Sequence, residues 1–177
     1  MKKKLSIVSY TAVALITAFL FSTPIPASAQ TVEEQFASTS VIETTLVGYE
    51  ALHNGIYSVT FDTVEISARS QAAPKAIVSG SKTRTRVYYN VFGGEVGKVT
   101  LTMNYKLNNG ATISVSSVSS TQSCSFGNSI STPVLSSSVN ASSTIASAKA
   151  SFTFSTLGIT IDNSGISFSV NKSGNFV

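Results

Sequence analysis

The chain has little of what usually carries recognisable chemistry: one cysteine, one histidine and eight acidic residues among 177. A lone cysteine, Cys124, rules out an internal disulfide, so packing must supply the stability. Set between Ser123 and Ser125, this thiol reads as an unremarkable buried or half-buried residue, with pairing to another chain as the alternative. His53 has no second His or Cys near it in sequence, which leaves no metal-ligand spacing. Beside Asn54-Gly55 it reads as an exposed turn residue rather than a ligand or base. Serine is abundant, but no G-x-S-x-G elbow frames one as a nucleophile. Six of the eight acids fall between Gln30 and Glu65, and no two suggest the carboxylate pair of a glycosidase. No catalytic residue, metal site or cofactor is assigned, and a non-enzymatic protein is expected.

A second long apolar run is also missing. The only one, Leu5 to Phe21, follows Lys2-Lys3-Lys4 and precedes Ala27-Ser28-Ala29. These are the three regions of a secretory signal peptide, residues 1–29, with cleavage expected after Ala29. The run is short for a bilayer span, so export without a stable membrane anchor is the expectation. No cysteine follows the cleavage site to take a lipid. The remaining 148 residues suit one domain, and loss of three lysines brings their net charge to +1. The basic pI of the whole chain therefore says little about partners. What remains is a division: −6 from Gln30 to Glu65 and +7 from Ile66 to Val177. Complementary halves most simply steady one fold by attraction. An acidic N-terminal segment, 30–67, and a core, 81–177, are distinguished on this basis.

What is abundant is apolar/polar alternation punctuated by Gly and Asn, the pattern of half-buried antiparallel strands. Tyr57 to Ile66 reads YSVTFDTVEI directly after the hairpin signal Asn54-Gly55. Upstream, Ser40-Val-Ile-Glu43 has the form of a capping box for a short helix ending at Asn54, whereas β-branched Val41, Ile42, Thr44, Thr45 and Val47 favour a strand. Residues 68–80, with Pro74, read as a loop. Ser81 to Phe92 and Val96 to Leu107 read as strands around Gly93-Gly94. Asn108-Asn109-Gly110 then turns into Ala111 to Val118. Later, Ala148, Ala150, Phe152 and Phe154 share a face, Leu157, Ile159 and Ile161 follow, and Ile166, Phe168 and Val170 return after Asp162-Asn-Ser-Gly165. From Thr112 to Thr156, 23 of 45 residues are Ser or Thr, read as strands whose wet faces carry hydroxyls, with long loops between Ser116 and Ser143. The expected fold is mainly β: an antiparallel, immunoglobulin-like β-sandwich of about seven strands.

The stretch VFGGEVGKVT, Val91 to Thr100, mimics a phosphate-binding loop but fails the test. The spacing from Gly93 to Gly97 is one residue short, Val99 follows Lys98, and the next segment is strand-like where a helix N-terminus is needed. It reads as a turn, and no nucleotide cofactor is expected. One surface constellation survives. If both flanking strands bury their apolar face in one core, Arg84, Arg86 and Tyr88 lie outside with Lys98 and Lys106, a basic stripe able to grip an anionic polymer. An ordinary solvated sheet face is the alternative.

The segments SKTRTRVYYN (81–90), VGKVTLTMNYKLNNGATISVSS (96–117), ASAKASFTF (146–154) and ISFSVNKSGNF (166–176) together resemble small secreted proteins of Gram-positive bacteria with no assigned function. The resemblance covers roughly Ser81 to Val177 and implies a secreted β-sandwich and no activity. Members of that group often carry two cysteines near the positions of Ile113 and Val170, where this chain departs from them. The function expected is a binding module at the cell envelope, with an anionic wall polymer or another envelope protein as partner. A self-associating matrix protein and a secreted pore-forming toxin are the alternatives.

Overall fold

The protein, seen in a computed structural model, is described for residues 40–67 and 77–177. The expected signal peptide and cleavage site lie outside these residues, as does most of the loop read from 68 to 80. Between Ser40 and Ala51 the β-branched side chains prevail over the capping box, and the chain forms strand β1. Strand β2, Tyr57–Ser67, returns against it. Asn54 and Gly55 make the reversal at φ 57° and 69°, the left-handed values that Asn and Gly tolerate best. β3 (Ile77–Tyr89), β4 (Glu95–Asn108) and β5 (Thr112–Cys124) extend the sheet. Its hydrogen-bonded order is β1-β2-β3-β4-β5, antiparallel throughout.

Three further chain runs lie against this sheet, each interrupted midway. Asn128–Ile130 (β6) and Val134–Val139 (β7) are parted at Pro133, which has no N–H to give a ladder. Ile145–Ser151 (β8) and Phe154–Thr156 (β9) are parted at Phe152-Thr153. Ile159–Asp162 (β10) and Ile166–Asn171 (β11) are parted at the turn ending in Gly165. The halves form two three-stranded sheets, β10-β9-β6 and β11-β8-β7. Among the described residues there are eleven strand segments where about seven are expected, largely because one run is written as two. An immunoglobulin-like sandwich sends consecutive strands to different sheets through Greek-key connections. Here five consecutive strands build one sheet, with short turns joining β1 to β2, β3 to β4 and β4 to β5, an order unlike a Greek key.

The core forms between the five-stranded sheet and the other two. Val99, Leu101, Met103 and Tyr105 of β4 are buried as their alternation predicts, together with Ile113. Against them lie Ala146, Ala148 and Ala150 of the central strand β8, then Phe152, Phe154, Ile166, Phe168 and Val170. Ile113 and Val170 both sit in this apolar core. Glycine admits two large rings. A Cβ at Gly80 would lie 2.6 Å from the Tyr105 ring, and one at Gly97 would lie 2.9 Å from the Phe154 ring.

Candidate functional site

The five residues of the expected basic stripe do not share a face. In the β3–β4 register Arg84 lies opposite Leu101, Arg86 opposite Val99 and Tyr88 opposite Gly97, so all three point with the core residues of β4. Only Lys98 and Lys106 are exposed. The reason lies in β2 and β3 together. Tyr57, Val59, Val87 and Tyr89 sit on the outer face and cover one another across the strands, so the hydrophobic set of β3 faces away from the main core. Alternation alone does not say which of two faces is inward.

Two of the three inward cations are paired with buried carboxylates. Arg84 donates from Nε to Asp62 Oδ1 at 2.5 Å and from Nη2 to Oδ2 at 2.7 Å, a bidentate pair, and Nη1 donates to the Ser167 carbonyl at 2.6 Å. This pair joins the acidic and basic halves of the chain. Arg86 Nη1 donates to Asp162 Oδ2 at 2.9 Å and to Ser164 Oγ at 2.6 Å. The fully buried Tyr88 donates its hydroxyl to the same Oδ2 at 2.6 Å, and its ring stacks on Phe154 with centroids 4.1 Å apart. Burial works to raise the Asp162 carboxyl, but hydrogen bonds from Tyr88 and Ser164 and the charge of Arg86 outweigh it and hold it below the ordinary carboxylate value. Burial, the hydrogen bond to Asp162 and the carboxylate charge push the Tyr88 hydroxyl far upward. Lys82, also inward, sits over the Phe176 ring at 5.3 Å; burial lowers it against the pull of Asp62 and Glu43. These groups neutralise and hold one another, which is a structural role.

The remaining feature of note is one end of the molecule. Register places the β1–β2, β3–β4 and β5–β6 turns together there, since Tyr57 pairs with Tyr89 and Gly97 with Cys124. The β9–β10 turn joins them through the Leu157 N–H, which donates to the Gly127 carbonyl at 2.8 Å. Three of these turns carry a large apolar side chain in water: Phe92 at 92%, Phe126 at 105% and Leu157 at 81% exposure. Leu157 sits at a turn position, φ 50°, and Ile159 after it is exposed as well. The described turns at the opposite end read NNGA, NASST and NKSGN and hold no large apolar residue, although Ile77, opposite Asn108, is exposed beside them. The signal was present in sequence as a repeated dipeptide: Phe92-Gly93, Phe126-Gly127 and Leu157-Gly158 each put a bulky apolar residue before a turn glycine, where folding asks for none. His53 is exposed in the β1–β2 turn, Cys124 is free and exposed, and among the described residues no three His, Cys, Asp or Glu side chains gather as metal ligands would.

Comparison with protein-family models, with curated proteins and with solved structures finds no match to this chain.

Proposed function

We propose that this is an exported, non-enzymatic binding module of the cell envelope that engages its target through the end bearing Phe92, Phe126 and Leu157. The observation that carries the reading is that the three most exposed large apolar side chains among the described residues, Phe126, Phe92 and Leu157, all stand on adjacent turns at one end. Exposed apolar groups cost solubility and give nothing to the fold, so they mark interaction sites when they cluster. Arg84, Arg86 and Tyr88 are engaged in the interior, and Lys98 and Lys106 alone are a thin basis for gripping an anionic polymer, which moves the site from the sheet face to the turns.

Pull-down of isolated envelope material with the secreted protein tests this. The wild type is retained, and the variant with Phe92→Ser, Phe126→Ser and Leu157→Ser together loses retention by at least about tenfold, as removal of buried apolar contacts requires. Equal retention of the two proteins contradicts the proposal.

A second reading has its own observation. Edge strand β1 exposes Ile42, Leu46 and Tyr49, which favours pairing of copies edge to edge in a matrix. Sedimentation at rising concentration separates the two: a persistent monomer removes self-assembly.

A further inference from the structure

We propose that the target of the turn end is a lipid bilayer, into whose interface Phe92, Phe126 and Leu157 insert while the strands stay outside. This inference rests on the preceding reading and names its partner.

Shape favours lipid over a protein partner. The three side chains stand almost wholly in water on three different turns, so a protein partner would have to reach all three turns at once. A bilayer needs no such complementarity.

Backbone bonding favours it too. Peptide groups that enter an apolar medium must already be paired, and each tip residue has one of its two satisfied, within its turn or by the neighbouring turn. Phe92 N–H donates to Asn90 Oδ1 at 3.0 Å, the Phe126 carbonyl accepts from Asn128 Nδ2 at 3.3 Å, and Leu157 N–H is taken by Gly127.

Behind the Phe92 tip stands a row of phenols. Tyr49, Tyr57 and Tyr89 stack across β1, β2 and β3 with centroids 5.5 and 5.3 Å apart, and the Tyr57 hydroxyl lies 3.9 Å from where a Gly93 side chain would begin. Tyrosines at that level suit the headgroup region, where an apolar ring and a polar tip are both accommodated. Further along the same face come hydroxyl pairs, Thr85 with Thr100 and Thr83 with Thr102, each at 3.1 Å. Val59 and Val87 separate the phenols from these hydroxyls, so the match to a bilayer is at the turn end, where apolar tip gives way to phenol as acyl chain gives way to headgroup.

Leu157 adds an independent point. A leucine held at φ 50° is strained where Asn or Gly would not be, and its side chain is exposed. Neither folding nor packing accounts for it, whereas insertion does.

Charge at this end is mixed, with Glu50, Glu95 and Lys98 exposed. The attraction is therefore apolar and indifferent to the sign of the lipid.

Flotation with protein-free vesicles tests the proposal, using phosphatidylcholine alone and phosphatidylcholine with about one third phosphatidylglycerol. The wild type floats with both, and entrapped dye stays inside because only turns enter. Phe92→Ser, Phe126→Ser and Leu157→Asn each weaken partitioning by about tenfold. Leu157→Asn does so while keeping or raising the melting temperature, which excludes misfolding as the cause. A wild type that ignores both vesicles, or floats only with the anionic ones whatever the tips, overturns the proposal. If it ignores vesicles while the triple serine variant still loses envelope retention, lipid is wrong and the binding end stands; if vesicles bind but envelope retention is unaffected, the envelope reading falls instead.

Discussion

Asp162 gathers a tyrosine hydroxyl, an arginine and a serine around one buried carboxylate. Replacing it by Asn leaves the Arg86 guanidinium inside without its counter-charge, and breaking a buried pair in this way costs about 3–5 kcal/mol. Tyr88→Phe keeps the stack on Phe154 and removes one donor, for about 1–2 kcal/mol. Chemical denaturation of the two variants reads these differences directly. The same cluster sets both pH limits. The Asp162 carboxyl is lower in the folded chain than in the unfolded one, so its stabilisation is full above the ordinary carboxylate value of about 4 and is lost as pH falls through the folded value. The Tyr88 hydroxyl is raised on folding, so its contribution is full below about pH 10 and is lost as pH climbs beyond that. Denaturation followed against pH should therefore weaken at both extremes, with the acid limb flattened in Asp162→Asn and the alkaline limb in Tyr88→Phe.

At the scale of strands and turns, much of the layout was legible. Alternation located the cores of β2, β3, β4, β5, β8 and β11, and Asn54-Gly55 and Asn109-Gly110 marked their hairpins. The face of β3 was not legible. Val87 and Tyr89 form as good an apolar set as Tyr88, and only the acids on β2 and β10, Asp62 and Asp162, decide that Arg84 and Arg86 turn inward. Those partners lie 22 and 76 residues away in sequence, beyond the reach of any local pattern. The hydroxyl-rich stretch likewise hid β6 and β7, since serine marks strand and loop alike. The candidate site was missed because a turn residue was read for its glycine and not for the bulky neighbour beside it. Close packing across the strands gives a further test. Gly80→Ala and Gly97→Ala drive a Cβ into the Tyr105 and Phe154 rings and should each cost about 1–3 kcal/mol, the usual range for overpacking. Gly110, with open space around it and φ 65°, should accept Asn within about 0.5 kcal/mol. Thermal denaturation of the three variants checks the order.

The whole molecule is polarised along the strand direction. Arg84 and Arg86 are paired with buried carboxylates, the core is continuous across the sheets, and the three most exposed apolar side chains among the described residues stand on turns at one end. Because Phe92, Phe126 and Leu157 contribute little burial, replacing all three by serine should shift the melting temperature by no more than about 2–4 °C, the equivalent of 1 kcal/mol in a chain of this size, while removing binding. Stability and function are then separable, which would not hold if the tips were part of the fold.

The most direct measurement places a polarity-sensitive fluorophore at single cysteines in a Cys124→Ser background: Phe92→Cys, Phe126→Cys and Leu157→Cys at one end, Asn109→Cys, Ala141→Cys and Ser173→Cys at the other. On addition of envelope fragments, emission should shift to the blue at the first three positions and stay unchanged at the other three. A shift at the NNGA end, or none anywhere, would contradict binding through the apolar turns.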